Sequence, residues 1–465
     1  MLKSKAMKTI AASLAMSTTL VMAGGVSAQQ APVNGDGALT GPMPEILSMR
    51  ERAEVRDQWL EQRLDTVVPM LMRRAGIDAW VLVAREYNED PVVKTMLPAR
   101  WLGARRTTVL MFLDHGPEKG VERLAVARYD VGKFFKASWS KEEQPDQWQR
   151  IVDILTEFDP EKVAINVSDD YALADGMTKS QYDSLTSRIP ADMVGKIVSG
   201  EPLAVGWLET RTEAEMFLYP KIVKIAHDII AEGFSSNVIT AGETTAEDLV
   251  WWYRDRIRSL GLTTWFHPSV SIQRSNKAQK SFIEAFSKTN EQGVILKGDL
   301  LHVDFGINYL GLNSDTQQHA YMLRDDEVDA PQGLKNALAK GNRLQDILTS
   351  NFETGRTGNA ILAASLRQAN EEGLRPSIYT HPIGMHGHAA GTTIGMWDMQ
   401  GGVPGTGDYP MYENTAYSIE LNVTEYIPEW DQDIRIQLEE DGFFTGSDFY
   451  YIDGRQKNFH LISSK

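Results

Sequence analysis

The sequence predicts two domains of different class, an α/β layer domain over residues 44–200 and an α+β domain over 201–465, and three observations carry the prediction. Apolar runs of strand length alternate with amphipathic helical stretches through the first region, the pattern of an α/β layer. From Ser269 onward that alternation gives way to strands joined by turns containing Gly and Asn. The 465 residues also exceed what one core needs at roughly 100–200 residues per domain.

Composition removes several classes of function. With 47 Lys+Arg against 63 Asp+Glu the chain carries a formal charge of −16, which repels a phosphate backbone and excludes general nucleic-acid binding. There is no cysteine, so disulfides, thiolate metal sites and cysteine nucleophiles are impossible.

Residues 1–28 have the form of a secretory signal: Lys3, Lys5 and Lys8, a mostly apolar stretch from Ile10 to Met22, and Val26-Ser27-Ala28 before the expected cut. The apolar stretch is short of the roughly 20 residues a membrane span needs. Its loss takes the net charge from −16 to −19 and leaves no membrane segment, so a periplasmic or secreted protein is expected. Residues 29–43, rich in Gly, Pro, Gln and Asn, form a flexible leader.

Apolar residues from Ile46 to Met72 recur at steps of three and four, which predicts a helix from Pro44 to Ala75. Strands are expected at 79–84, 107–113, 123–128 and 163–167, with a helix over 145–158 before the last. Gly and Pro in Gly200-Glu201-Pro202-Leu203-Ala204-Val205-Gly206 mark a domain boundary. Helices follow at 212–232 and 245–260, the second opening at a Thr cap.

The remaining sequence holds the chemistry. Leu300-Leu301-His302-Val303-Asp304-Phe305-Gly306 is an apolar strand with a central acid, and an acid there is costly unless paired or bound to metal. Folding back at Gly311 brings Asp315 beside it, and a cation between two such carboxylates relieves their repulsion. His381, His386 and His388 share one Gly-rich turn, Glu420 lies within the apolar strand 417–423, and Glu439 ends the strand that starts at Ile434.

An Asp, a second Asp eleven positions on, a His turn, a Glu inside a strand and a Glu six positions before a strand-ending Thr together resemble the metallopeptidases of the pita-bread fold. That group includes methionine aminopeptidase, Xaa-Pro aminopeptidase and prolidase, with metal-free creatinase as a relative. The resemblance covers Glu209 to the C-terminus, and the preceding α/β domain looks like that of the creatinase and prolidase branch. It implies that Asp304, Asp315, His381, Glu420 and Glu439 hold two divalent ions, with Asp315 and Glu439 bridging. One imidazole and four carboxylates suit Mn²⁺ first, with Co²⁺, Zn²⁺ or Fe²⁺ as alternatives. It further implies that Glu420 is the general base, that His388 contacts a short peptide or small amide substrate, and that the chain forms a homodimer or larger oligomer.

The sequence also departs from this pattern. The family's substrate histidine, about seventeen residues before the first Asp, falls near Ser287, and no histidine stands between 268 and 301. His267 and the additional His386 are candidates to contact substrate in its place. Gln318 replaces an Arg, Pro382 replaces a Gly, and residues 392–412 form an unassigned insert. These changes weaken proline specificity and keep two other readings open, a creatinase-like metal-independent C–N hydrolase and a non-catalytic binding protein.

Overall fold

The first helix begins at Met49, five residues after the predicted Pro44, because Ser48 before it and Glu51 make a reciprocal cap. Ser48 N donates to Glu51 Oε2 at 2.8 Å and Glu51 N donates to Ser48 Oγ at 3.4 Å. The computed structural model describes residues 37–276 and 293–463. The expected signal segment, most of the leader and the position near Ser287 lie outside the described residues.

Helix α1 (Met49–Ala75) buries Trp59, Leu60, Leu64, Val67, Val68, Leu71 and Met72 and ends at Gly76 in the left-handed region. It packs on a six-stranded mixed sheet of β1 (Ala79–Arg85), β2 (Thr107–Asp114), β3 (Val121–Ala125), β4 (Lys136–Ala137), β5 (Val163–Ile165) and β6 (Ile197–Ser199), in the order β4-β3-β2-β1-β5-β6. Helices α2 (Pro91–Met96), α3 (Gln147–Phe158), α4 (Lys179–Thr186) and α5 (Ala191–Val194) complete the layer. Asp90 Oδ1 starts α2 by accepting from Val92 N and Val93 N at 2.8 and 2.9 Å.

The stretch read as a punctuated boundary is instead helix α6 (Glu201–Glu209). Pro202 fits a first turn, where a helix has no use for its missing N–H. Leu203, Ala204, Val205, Trp207 and Leu208 then bury in the same core as α1 and β1. A Cβ on Gly206 would stand 2.4 Å from Leu71 Cδ2, so this glycine is what lets α6 lie against α1.

The second region opens with α7 (Glu213–Gly233) and α8 (Ala246–Ser259), each with a capping box at its Thr, and adds α9 (Gln332–Thr349) and α10 (Gly358–Glu371). One sheet runs β19-β11-β8-β7, from β7 (Ser269–Gln273), β8 (Leu300–Phe305), β11 (Thr316–Met322) and β19 (His460–Ile462); the ribbon β9 (Asn308–Tyr309) and β10 (Leu312–Asn313) joins β8 to β11. A second sheet pairs β12 (Pro376–Ile378), β15 (Leu421–Ile427) and β16 (Gln432–Leu438). The third runs through β13 (His381–Pro382), β14 (Thr415–Ser418), β17 (Asp441–Phe444) and β18 (Phe449–Tyr451).

Three chain segments cross from the second sheet to the third at one level. The breaks fall at Tyr379-Thr380, Ile419-Glu420 and Glu439-Glu440, where Tyr379 N donates to Glu420 O at 3.2 Å and Ile419 N donates to Glu440 O at 2.9 Å. A break in a strand pair re-aims side chains out of the regular alternation. Gln317 and Glu439 exchange backbone hydrogen bonds and tie the first sheet to this seam.

The insert 392–412 packs between the two regions. Tyr409 Oη donates to Glu209 Oε1 at 3.0 Å, the Tyr171 ring packs edge-on against Tyr409 with centroids 5.7 Å apart, and Arg74 stacks 3.8 Å over the Tyr412 ring. No helix among the described residues is long and apolar enough to cross a membrane.

Candidate metal centre

All five predicted ligands meet at the seam. Asp304 lies in β8 opposite Gln317 of β11, and the tight turn at Leu310 and Gly311, both with positive φ, returns the chain so that Asp315 stands immediately before β11. His381 opens β13 opposite Ser418, while Glu420 and Glu439 occupy the breaks that follow β14 and β16. Ligand atoms of Asp304, Asp315 and Glu439 lie within 4.8 Å of one another, and so do those of His381, Glu420 and Glu439. The two groups share Glu439. A third group joins Asp315, His381 and His388.

The protonation pattern calls for a cation. His381 Nδ1 lies 3.0 Å from Pro382 O; a carbonyl can only accept, so Nδ1 carries a hydrogen and Nε2 is the nitrogen that faces the acids. That nitrogen faces Glu439 Oε1 at 3.6 Å, Asp315 Oδ2 at 3.7 Å and Glu420 Oε2 at 4.0 Å, all of them acceptors when ionised. His381 Nε2 and Asp315 Oδ1 are buried without a hydrogen-bond partner. Burial, then the neighbouring Glu439, pushes Asp304 up to about 8, and the same causes raise Asp315 and Glu420 well above the carboxylate range. Divalent ions would restore the charged forms, and the oxygen-rich donor set with one imidazole fits them.

A second layer orients these groups. Gln317 Nε2 donates to Glu420 Oε1 and, at 2.7 Å, to Glu439 Oε2, while Gln317 Oε1 lies 2.9 Å from His302 Nε2. Ser418 Oγ donates to Glu439 Oε1 at 2.5 Å. Asp315 N donates to Asp441 at 3.2 Å. Behind them His227 sits between Glu440 and Asp453 at 2.8 and 2.9 Å, and although burial alone would lower it, those two acids raise it to about 10. Tyr379 hydrogen-bonds the Glu420 side chain. Gln317 and Tyr379 escaped the sequence reading; the one signal was their place beside predicted ligands.

The other predicted residues divide. His388 packs edge-on against His381, ring centroids 4.8 Å apart, and against Trp265 at 5.0 Å. With His386 it lines a cavity of about 620 Å³ formed with α1 and α2. His267 is not brought to the cluster; it lies 2.9 Å from Arg254 and packs on Trp251 of α8. Gln318 donates to Glu440 at 3.0 Å and accepts from His460 at 2.8 Å, one layer behind the ligands.

Residues 221–445 match the model of metallopeptidase family M24. Among solved structures, the chain resembles an X-Pro aminopeptidase from Thermotoga maritima MSB8, with a TM-score of 0.57 and 15% identity over 85% of this chain and 99% of the other. It also resembles an Xaa-Pro dipeptidase from Bacillus anthracis, with a TM-score of 0.51 and 18% identity over 89% of this chain and 100% of the other. At these identities the likeness is one of fold. No curated protein sequence matches the chain significantly. The family match, together with ligands gathered at the seam of the sheets, identifies the chain as a member of metallopeptidase family M24 with the pita-bread fold, a metallopeptidase-type hydrolase.

Proposed function

We propose that this protein is an exported hydrolase of short peptides, of the Xaa-Pro aminopeptidase or dipeptidase type, that works with two divalent ions, Mn²⁺ first among them. The observation that carries the reading is the pair of ligand groups sharing Glu439, with His381 Nε2 aimed among three carboxylates. Asp304, Asp315 and Glu439 would hold one ion, and His381, Glu420 and Glu439 the other. Two such ions lower the pKa of water towards about 7 and polarise a carbonyl.

The chain's own residues supply the rest. Glu420 takes a proton on its carboxylate and returns it to the leaving amine, and Gln317 and Tyr379 fix the carboxylate for that transfer. His388, half in the cavity and half against His381, positions the substrate's reacting end. A neutral imidazole there can donate to an oxygen that gains negative charge.

The test is a panel of short peptides with and without proline after the first residue, assayed with the Mn²⁺-loaded protein. Hydrolysis confined to peptides with proline supports the type proposed, and equal rates across the panel remove the proline requirement. Export follows from residues 1–28; mature protein recovered from the periplasm should begin at Gln29, and an intact Met1 there would sink this part. We also propose a homodimer or larger oligomer, in line with the branch that the amino-terminal domain resembles; sedimentation as a monomer would contradict it.

A further inference from the structure

One amide, that of Gln317, aims two of the acids at the seam, and it has a partner of its own. In the pairing of β8 with β11, Asp304 stands opposite Gln317, and His302 stands opposite His319 two residues away on each strand. Side chains two apart share a face of a sheet. His302 therefore lies diagonal to Gln317 on the face that carries Asp304, while Leu301, Val303 and Phe305 of the same strand turn into the apolar core.

Gln317 offers one carbonyl oxygen and two amide hydrogens. Its Nε2 donates to Glu420 Oε1 and, at 2.7 Å, to Glu439 Oε2, and its Oε1 meets His302 Nε2 at 2.9 Å. A carbonyl can only accept, so His302 Nε2 is the donor. Turned over, the amide would set its oxygen against two carboxylates and its NH₂ against the imidazole N–H, and every one of these contacts would become repulsive. Gln317 is buried, so without His302 its oxygen would also be left without a partner, which is costly inside a protein.

The imidazole is itself braced across three strands. Its Nδ1 lies 3.4 Å from Ser271 Oγ of β7, and its ring packs on that of His319 with centroids 5.1 Å apart. His319 is fixed in turn, with Nδ1 3.1 Å from Leu301 O and Nε2 accepting from Gln437 N at 3.1 Å. A donor on so rigid a mount holds the amide to one direction.

We infer that His302 is a positioning residue for the proposed hydrolysis: its Nε2–H pins the Gln317 carbonyl, so that one amide orients both Glu420, the base, and Glu439, the shared ligand. The inference deepens the proposed function and rests on it for the roles of the two acids.

The experiment combines Mn²⁺ titration of the metal-free protein with peptide kinetics. His302→Phe fills the space without a donor; it should weaken one Mn²⁺ step and lower kcat, each by about tenfold, with KM little changed. His302→Gln, which keeps an N–H, should recover most of both losses. A role in packing alone predicts the reverse order, because Phe keeps a ring and Gln does not. Adding His302→Phe to Gln317→Leu should cost less than about twofold more, since no amide remains to be held. The full loss in that background would overturn the inference, and so would wild-type Mn²⁺ binding in His302→Phe. The wild-type protein gives a test free of any variant: proton–nitrogen correlation on isotope-labelled histidine, without metal, should find the His302 hydrogen on Nε2, and a hydrogen on Nδ1 alone would overturn the inference. Titration and spectroscopy need no substrate. If no peptide is hydrolysed the peptidase reading fails, and these two measurements still decide His302.

Discussion

At the scale of single residues, the ligands were legible because each breaks a local rule. An acid inside an apolar strand has few cheap explanations, and Asp304 and Glu420 stood out on that ground alone. Gln317 and Tyr379 break no rule, since polar and aromatic residues are ordinary in strands, and only the meeting of three sheets brings them to Glu420. His267 shows the converse: a histidine in the right part of the sequence is taken up by Arg254 and Trp251. Two substitutions separate the roles. Glu420→Gln should cut kcat by about 10²–10⁴ while the ion held by Asp304, Asp315 and Glu439 is retained; wild-type rates would remove Glu420 as the base. Gln317→Leu should weaken binding of the second ion by about 10–100-fold, because outer residues of this kind orient ligands. Isothermal Mn²⁺ titration reads this, and two unchanged binding steps would refute the role.

At the scale of elements, α1, α3, α7 and α8 were predicted from periodicity and caps, and β1, β2, β3 and β5 from apolar runs with turns between them. Helix α6 was missed because Gly200, Pro202 and Gly206 look like punctuation, whereas the Pro fits a first turn and Gly206 serves close packing on α1. The seam was missed for a different reason. Residues 417–423 read as one strand, and only pairing with β16 and β17 divides them at Glu420. The element-scale prediction concerns α7, whose His227 locks onto Glu440 and Asp453 from the neighbouring chain segments. Its imidazole titrates near 6.5 when free and near 10 in the fold, so the folded state binds the proton more tightly. The stabilisation is therefore complete below about pH 6.5 and lost as pH rises towards 10. His227→Gln should lower the melting temperature at pH 6 by an amount worth a few kcal/mol, with the gap to wild type closing by pH 10. A gap independent of pH would contradict a charged His227.

At the scale of the whole molecule, two regions share one purpose. The carboxy-terminal sheets gather acids that repel one another, and the amino-terminal domain adds a wall of the cavity beside them. The insert 392–412 ties the two together through Glu209, Tyr171 and Arg74. Composition foretold the sign of the chain but not this division, since a net charge of −16 is silent on where the acids gather. The central claim is that the clustered carboxylates exist to hold two ions. Its most direct test is the metal content of the purified protein after reconstitution with Mn²⁺ and removal of free metal. The account expects two ions per chain, falling to one or fewer in His381→Ala; less than one ion per wild-type chain would contradict it.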